Sequence, residues 1–289
     1  MLTPLRNGLA AILAWALAAA PLSASAEPAL WAIRDKDSTI YVFGTMHVAK
    51  PGWRSAKIDE AFARSGELIV EALPPDSPAE SQALLQRLGL QTDGGLSTKL
   101  TEQDRARLAA RSQSLGVSPA ALERMRPWLA AVSLGSAAAV RAGWDPANGD
   151  DAWFLSTARA AGKRVSALET AELQLRMLAD VPEEVQLAAL SRTLEQLDQA
   201  TDQVSATYEA WLSGDVERLR VEAAKARVGR DAVVDEKVRT SRNRTWADAL
   251  VRKLGDDGVT FVAVGAGHLV GSDGVLELLS RRGIQIERQ

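Results

Sequence analysis

The chain has 289 residues, with 34 lysine and arginine against 37 aspartate and glutamate side chains and a formal net charge of −3. No basic cluster is dense enough to imply nucleic acid or an anionic lipid surface as a partner. Cysteine is absent and histidine occurs twice, which removes disulfides and thiolate chemistry and makes the place of each imidazole informative.

Residues 1–26 carry a cation at Arg6, an apolar stretch from Leu9 to Ala20, a helix-breaking Pro21, and the small-x-small pattern Ala24-Ser25-Ala26. This is the pattern of a secretory signal cut between Ala26 and Glu27, and it predicts a periplasmic or secreted protein. The apolar stretch is shorter than the roughly 18 residues of a membrane span, so no stable membrane anchor is expected.

LWAIRD and TIYVFG flank Lys36-Asp37-Ser38 and read as a β-hairpin. SAKIDEAFARSG follows, with Ile58, Ala61 and Phe62 at helical spacing and Gly66 as a stop. ELIVEAL is a short strand of the buried type, closed by Pro74-Pro75. The stretch 77–148 is helical and alanine-rich; Thr101 and Ser118 are N-caps, and one helix is expected from Ser118 to about Gly143. DDAWFLSTARAAGK predicts a helix that leads into the strand KRVSAL, ending at Glu169. The stretch 171–254 is again mainly helical. Leu187, Leu190, Leu194 and Leu197 share one face of a helix starting near Pro182, and a break at Gly214 is followed by a restart at Asp215. A helix through RTSRNRTWADALVRKLG ends at Gly255, and GVTFVAVGAGH, GVLELLSRRG and IQIERQ then read as a strand with its turn, a helix and a strand. Strands at both ends with helices between them predict an α/β domain over residues 27–289. Its core would be a single mixed β-sheet built from N- and C-terminal strands, with a large helical insertion.

Both histidines follow a strand in a G-x-x-H turn, YVFGTMH ending at His47 and FVAVGAGH ending at His268. Glu71 and Glu169 also close strands, and ligands of open α/β sheets bind beyond the carboxyl ends of strands. One such histidine is usually an ordinary loop residue; two turns that consume every imidazole in the chain favour a site. Glu71 lies among Leu68, Ile69, Val70, Ala72 and Leu73, so its charge needs either a metal or a buried ion pair. Two imidazoles and a carboxylate would hold a metal with one position open for water.

GTMH, IVEAL, GDDAWFLSTARAAGKRVSALET, SRNRTWADAL and VAVGAGHLVG with a terminal GIQIER, in that order, resemble the TraB/PrgY/GumN family. The resemblance runs from about Leu30 to the C-terminus and points most closely to the bacterial GumN-like members. It places the family's first motif on Gly44 to His47, its second on Gly265 to His268, and its strand-end glutamate on Glu71. Further matches fall on Gly149 to Asp151, Leu168 to Thr170, and the pair Arg242 and Asn243. The animal Tiki proteins of this family look like divalent-metal-dependent proteases, and the wider superfamily is similar to erythromycin esterases. The resemblance therefore implies a periplasmic hydrolase that cleaves a peptide or related acyl bond with metal-activated water. Its divalent metal ion (Mn, Co, Zn or Fe) would be held by His47 and His268 with Glu71 or Glu169. Glu71 or Glu169 would serve as base, Arg242 would stabilise the oxyanion, and Asn243 would orient the site. Asp151 is expected as a ligand or a helix N-cap. The alternatives are a metal-free Glu/His hydrolase of the erythromycin-esterase type and a non-catalytic envelope protein that binds a peptide or glycan. In each case the partner is a peptide or another small envelope molecule.

Overall fold

The computed structural model describes residues 27–50 and 52–289; the signal reading of 1–26 lies outside the described residues. Strands β1 (Leu30–Arg34) and β2 (Ser38–Thr45) form the expected hairpin, pairing antiparallel with Ala32 opposite Tyr41. Helix α1 (Ala56–Arg64) is capped by the Ser55 side chain and buries Ile58, Ala61 and Phe62, and β3 (Glu67–Leu73) follows. The insertion opens with α2 (Pro78–Gly89), α3 (Glu102–Leu115), α4 (Pro119–Glu123) and α5 (Pro127–Arg141). Thr101 and Ser118 cap α3 and α4 as their sequence implies. The single helix expected from Ser118 is two. Pro127 disfavours helical backbone at the residue before it, Arg126 is extended (ψ 155°), and the chain restarts with proline in the first turn of α5.

Helix α6 (Asp150–Ala160) leads into β4 (Arg164–Thr170) and α7 (Ala171–Ala179). Helix α8 (Glu183–Leu212) begins after Pro182 and buries Leu190, Leu194 and Leu197 on one face. The break falls at Gly214 (φ +67°), and the Asp215 side chain caps α9 (Val216–Lys225). A short α10 (Ala232–Asp235) passes through a π-helical turn at Glu236–Thr240 into α11 (Ser241–Leu254). The chain closes with β5 (Gly258–Gly265), α12 (Ala266–Leu269), α13 (Val275–Ser280) and β6 (Ile286–Arg288). As the G-x-x-H turn implies, β5 stops at Gly265, whose N–H donates to the Glu71 carboxylate, and His268 rides on the short helix that follows.

The strands form one mixed sheet in the order β4-β3-β5-β2-β1-β6. β4, β3, β5 and β2 run parallel, and β1 reverses direction between β2 and β6. Both faces are covered, which is why β2 and β5 read as nearly continuous apolar runs. Phe43 and Phe261 point to one face, packing with Phe62, Phe154 and Trp211, while Val42, Val262 and Val264 point to the other with Trp246 and Leu250. Helices α3, α5 and α8 enclose a separate core around Leu108, Leu134, Leu190 and Leu194.

Gly44 marks the closest approach of β2 to α12. A Cβ there would lie 2.9 Å from Ala266 Cα, a backbone atom with little room to yield. Gly44→Ala is expected to displace α12 together with His268 and to cost about 1–3 kcal/mol. Urea denaturation should show a lower midpoint at an unchanged slope.

Candidate active site

Parallel pairing brings the carboxyl ends of β2, β3, β4 and β5 to one edge of the sheet, and each delivers a polar side chain there. His47 lies just past β2, Glu71 near the end of β3, Glu169 near the end of β4, and His268 on α12. They meet over Gly265. A Cβ built on that glycine would lie 3.0 Å from Glu71 Oε1, 3.3 Å from His47 Nε2 and 3.6 Å from His268 Cδ2. Both imidazoles and a carboxylate thus converge on a narrow cradle beside Gly265, too tight for a side chain at that position.

The first imidazole is held from α6. Asp150 fixes the turn that carries it, accepting from the Met46 N–H at 2.8 Å and from Trp53 Nε1 at 2.9 Å. Burial pushes the Asp150 carboxyl up to about 7, with the neighbouring Asp151 adding to the rise against the Met46 bond. Gly149 is required by contact, because a Cβ on it would collide with the His47 carbonyl. Asp151 does not cap α6, whose N-cap position falls to Gly149 with no side-chain bond. Its carboxylate accepts from Thr45 Oγ1 at 2.9 Å and pairs with His47 Nδ1 at 2.7 Å. A carboxylate can only accept, so Nδ1 carries the proton and Nε2 is the nitrogen turned to the cradle. The Asp151 bond raises His47 to about 9, while its side chain keeps 64 % of its surface open.

The second imidazole is enclosed. His268 Nδ1 donates to Asn243 Oδ1 at 2.6 Å, and Asn243 Nδ2 donates in turn to the Asp273 carbonyl at 2.7 Å. Its Nε2 lies 3.1 Å from Arg242 Nη1, which can only donate, so the ring is the neutral Nδ1–H tautomer. Burial lowers His268 to about 3, with Arg242 and Arg239 working in the same direction against Glu71.

Arg242 is buried rather than a surface helix arginine, and it fills the centre of the group. It bonds Glu169 from both Nε and Nη2, Glu71 from Nη2 at 2.7 Å, and the Val238 carbonyl and His268 from Nη1. All five guanidinium N–H groups are thereby engaged. Gln174, on α7, links the two carboxylates, reaching Glu71 at 3.3 Å and Glu169 at 3.0 Å. Burial pushes the Glu71 carboxyl up, but the positive charges around it and the Gly265 N–H outweigh that and hold it below its ordinary range. Sequence reading missed Gln174 altogether and gave Asp151 a different role. The only sequence trace of Gln174 is a polar residue early in the helix that follows the strand end.

A divalent ion needs lone pairs that are not already spent. Both nitrogens of His268 and both oxygens of Glu169 have partners. The donors left facing the cradle are the remaining lone pair of Glu71 Oε1 and, once its ring loses a proton near pH 9, His47 Nε2. Among the described residues no group of three or more His, Asp or Glu side chains is arranged to hold a metal ion. The expected three-ligand set is thus brought together in space, but as it stands it offers two donors.

The TraB/PrgY/gumN family model matches residues 29–288, which spans the whole sheet and every residue of this edge. The chain belongs to the TraB/PrgY/gumN family. A similar relative is an uncharacterized protein from Treponema pallidum (strain Nichols), 25% identical over 271 residues, covering 89% of this chain and 81% of that protein. No solved structure matches. In this TraB/PrgY/gumN member, no helix among the described residues is long and apolar enough to cross a membrane.

Proposed function

We propose that this TraB/PrgY/gumN member is a hydrolase that cleaves a peptide or related acyl bond in the periplasm, with His47 activating the water. One observation carries the reading: His47 Nε2 faces the cradle over Gly265 uncommitted, while Asp151 holds the other nitrogen of the ring. Both His47 Nε2 and Glu71 Oε1 lie within 3.3 Å of one point beside Gly265, so a single water bridging them would reach both. In its deprotonated form, His47 takes a proton from that water as its oxygen attacks the carbonyl carbon. It then returns the proton to the leaving nitrogen or oxygen as the acyl bond breaks. Asp151 stabilises the imidazolium that forms between these steps. With its donors engaged, Arg242 assists the developing oxyanion by its fixed positive charge at short range, not by a direct bond.

The same two donors support a second reading. A Mn, Co, Zn or Fe ion held by His47 and Glu71, and by His268 once released from Arg242, would supply Lewis-acid activation when bound. Peptide and ester libraries incubated with tag-free protein, with and without chelator, separate the two, alongside elemental analysis. Product that survives chelator and vanishes in His47→Ala is the expected result. Chelator-sensitive turnover by a metal-loaded protein favours the second reading, and absence of product from any substrate leaves an envelope binding protein. Export is tested independently: intact mass of periplasmic protein should place the mature N-terminus at Glu27. Retention of residues 1–26 would make it an anchored protein.

A further inference from the structure

The two edges of the sheet are built differently. β6 has 3 residues, two of them the exposed Glu287 and Arg288, which is how natural sheets blunt an edge. β4 has 7 residues, carries no proline, and has no charge between Arg164 and Glu169. Among the described residues it pairs with β3 and with no other strand. The Arg164 N–H donates to the Gly66 carbonyl on the β3 side at 3.2 Å. Alternation along the strand then turns the main-chain groups of Val165, Ala167 and Glu169 outward.

A groove of about 730 Å³ runs beside this edge, between α2 and the consecutive β4 residues Ala167 to Thr170. Leu73, Pro75 and Ala171 line it as well, so the groove lies across the carboxyl ends of β3 and β4 and reaches the open edge at its last residues. A second hollow of about 380 Å³ shares Leu168 and Glu169 with the first and is walled by Arg242. The two hollows thus border Glu169 and Arg242, the residues on one flank of the candidate active site. The walls of the groove carry Asp76 and Glu80, while Glu169 and Glu172 line it already paired, the first with Arg242 and the second with Arg87 and Arg176.

We propose that the free edge of β4 is a docking strand for an extended peptide, which adds to the sheet in parallel or antiparallel register and sets basic side chains against the acidic wall. A row of alternating outward N–H and C=O groups is the complement of another main chain, and neither a sugar nor a lipid offers that repeat. The proposal rests on the hydrolase reading for what happens after docking, and on the edge alone for binding.

The test uses short fluorescein-labelled peptides of alternating valine and lysine, titrated against the full chain carrying His47→Ala so that they are not consumed. Two N-methylated forms block alternate amides. One form should bind about tenfold more weakly than the unmodified peptide and the other should keep its affinity, because a strand pairs through alternate residues. Ala167→Pro, which removes one outward N–H from an edge position that tolerates proline, should weaken the unmodified peptide by about tenfold while circular dichroism stays unchanged. Equal binding of both methylated forms overturns the proposal even if Ala167→Pro fails to fold. So does a dimer formed through β4 that light scattering detects in place of peptide uptake, which would assign the edge to a second copy. Cleavage is scored separately on the wild type. Peptides that dock by the alternate-amide rule yet are never cut support the docking strand and remove the hydrolase reading. Cleavage indifferent to methylation does the reverse.

Discussion

Replacing Arg242 with methionine is expected to destabilise the protein by about 3–5 kcal/mol at neutral pH, because it strands two buried carboxylates. The side chains of Glu71 and Glu169 keep only 9% and 4% of their surface, and Arg242 is the cation that both contact. Methionine fills much of the same volume, so the loss reports unpaired charge more than a cavity. The pH dependence is the sharper reading. In the wild type Glu71 is held below its ordinary value of 4.5. Its contribution is therefore present above that value and fades as pH falls through the lower folded value. Removing Arg242 takes away one of the charges that hold Glu71 down, beside those of His268 and His47, so its carboxyl should shift upward and the stability it contributes at neutral pH should shrink. The gap between wild type and variant should be wide at about pH 7.5 and narrow at about pH 4. Urea unfolding at both values measures it. A gap of equal size at each would mean that packing, and not charge, is what Arg242 provides. Arg242→Lys should recover only part of the loss, since an ammonium cannot reproduce the bonds of a planar guanidinium to both carboxylates.

His47→Ala should lower turnover by about 10²–10⁴-fold, the usual contribution of a positioned general base. Asp151→Asn should act through the same group. With Asp151 in place His47 titrates near 9, so a base with that value gains activity as pH rises toward 9. Removing the carboxylate should bring the limb down toward the ordinary 6.5 and lower the plateau, because the imidazolium loses its partner. The two substitutions together should cost little more than His47→Ala alone. Proton NMR can follow this without a substrate, since the chain has 2 histidines. One ring should titrate near 9, and the other, at about 3, should stay silent through the neutral range. An unmoved limb in Asp151→Asn, or a His47 ring that titrates near 6.5 in the wild type, would remove Asp151 from the mechanism. The stability carried by this pair is present below 6.5 and lost as pH rises through about 9. With the His47 side chain 64 % exposed it should be small.

Much of the framework is written in short windows of sequence. Ser55, Thr101, Ser118 and Asp215 each cap a helix through a bond to a backbone N–H three residues on, and that geometry needs no tertiary partner. The break before Pro127 is equally local, and the sequence reading passed over a proline rule that was there to use. The unbroken apolar runs of β2 and β5 announce strands covered on both faces, and the two G-x-x-H turns mark where those strands end. That Glu71 must have a counter-charge also follows from its apolar neighbours alone.

Only the folded chain decides which counter-charge it is. Arg242 reaches Glu71 from 171 positions away, and it does so because β3 and α11 are brought together over β5. Once it is there it takes Glu169 and the free nitrogen of His268 as well, so residues that read as metal donors become partners of a guanidinium. His47 escapes that competition because it lies one strand further along the sheet edge, where Asp151 is its neighbour. Residue types and their spacing state which groups need partners. Which partner each group obtains depends on through-space distances of a few ångströms, and those are set by strand order and register rather than by any local stretch of the chain.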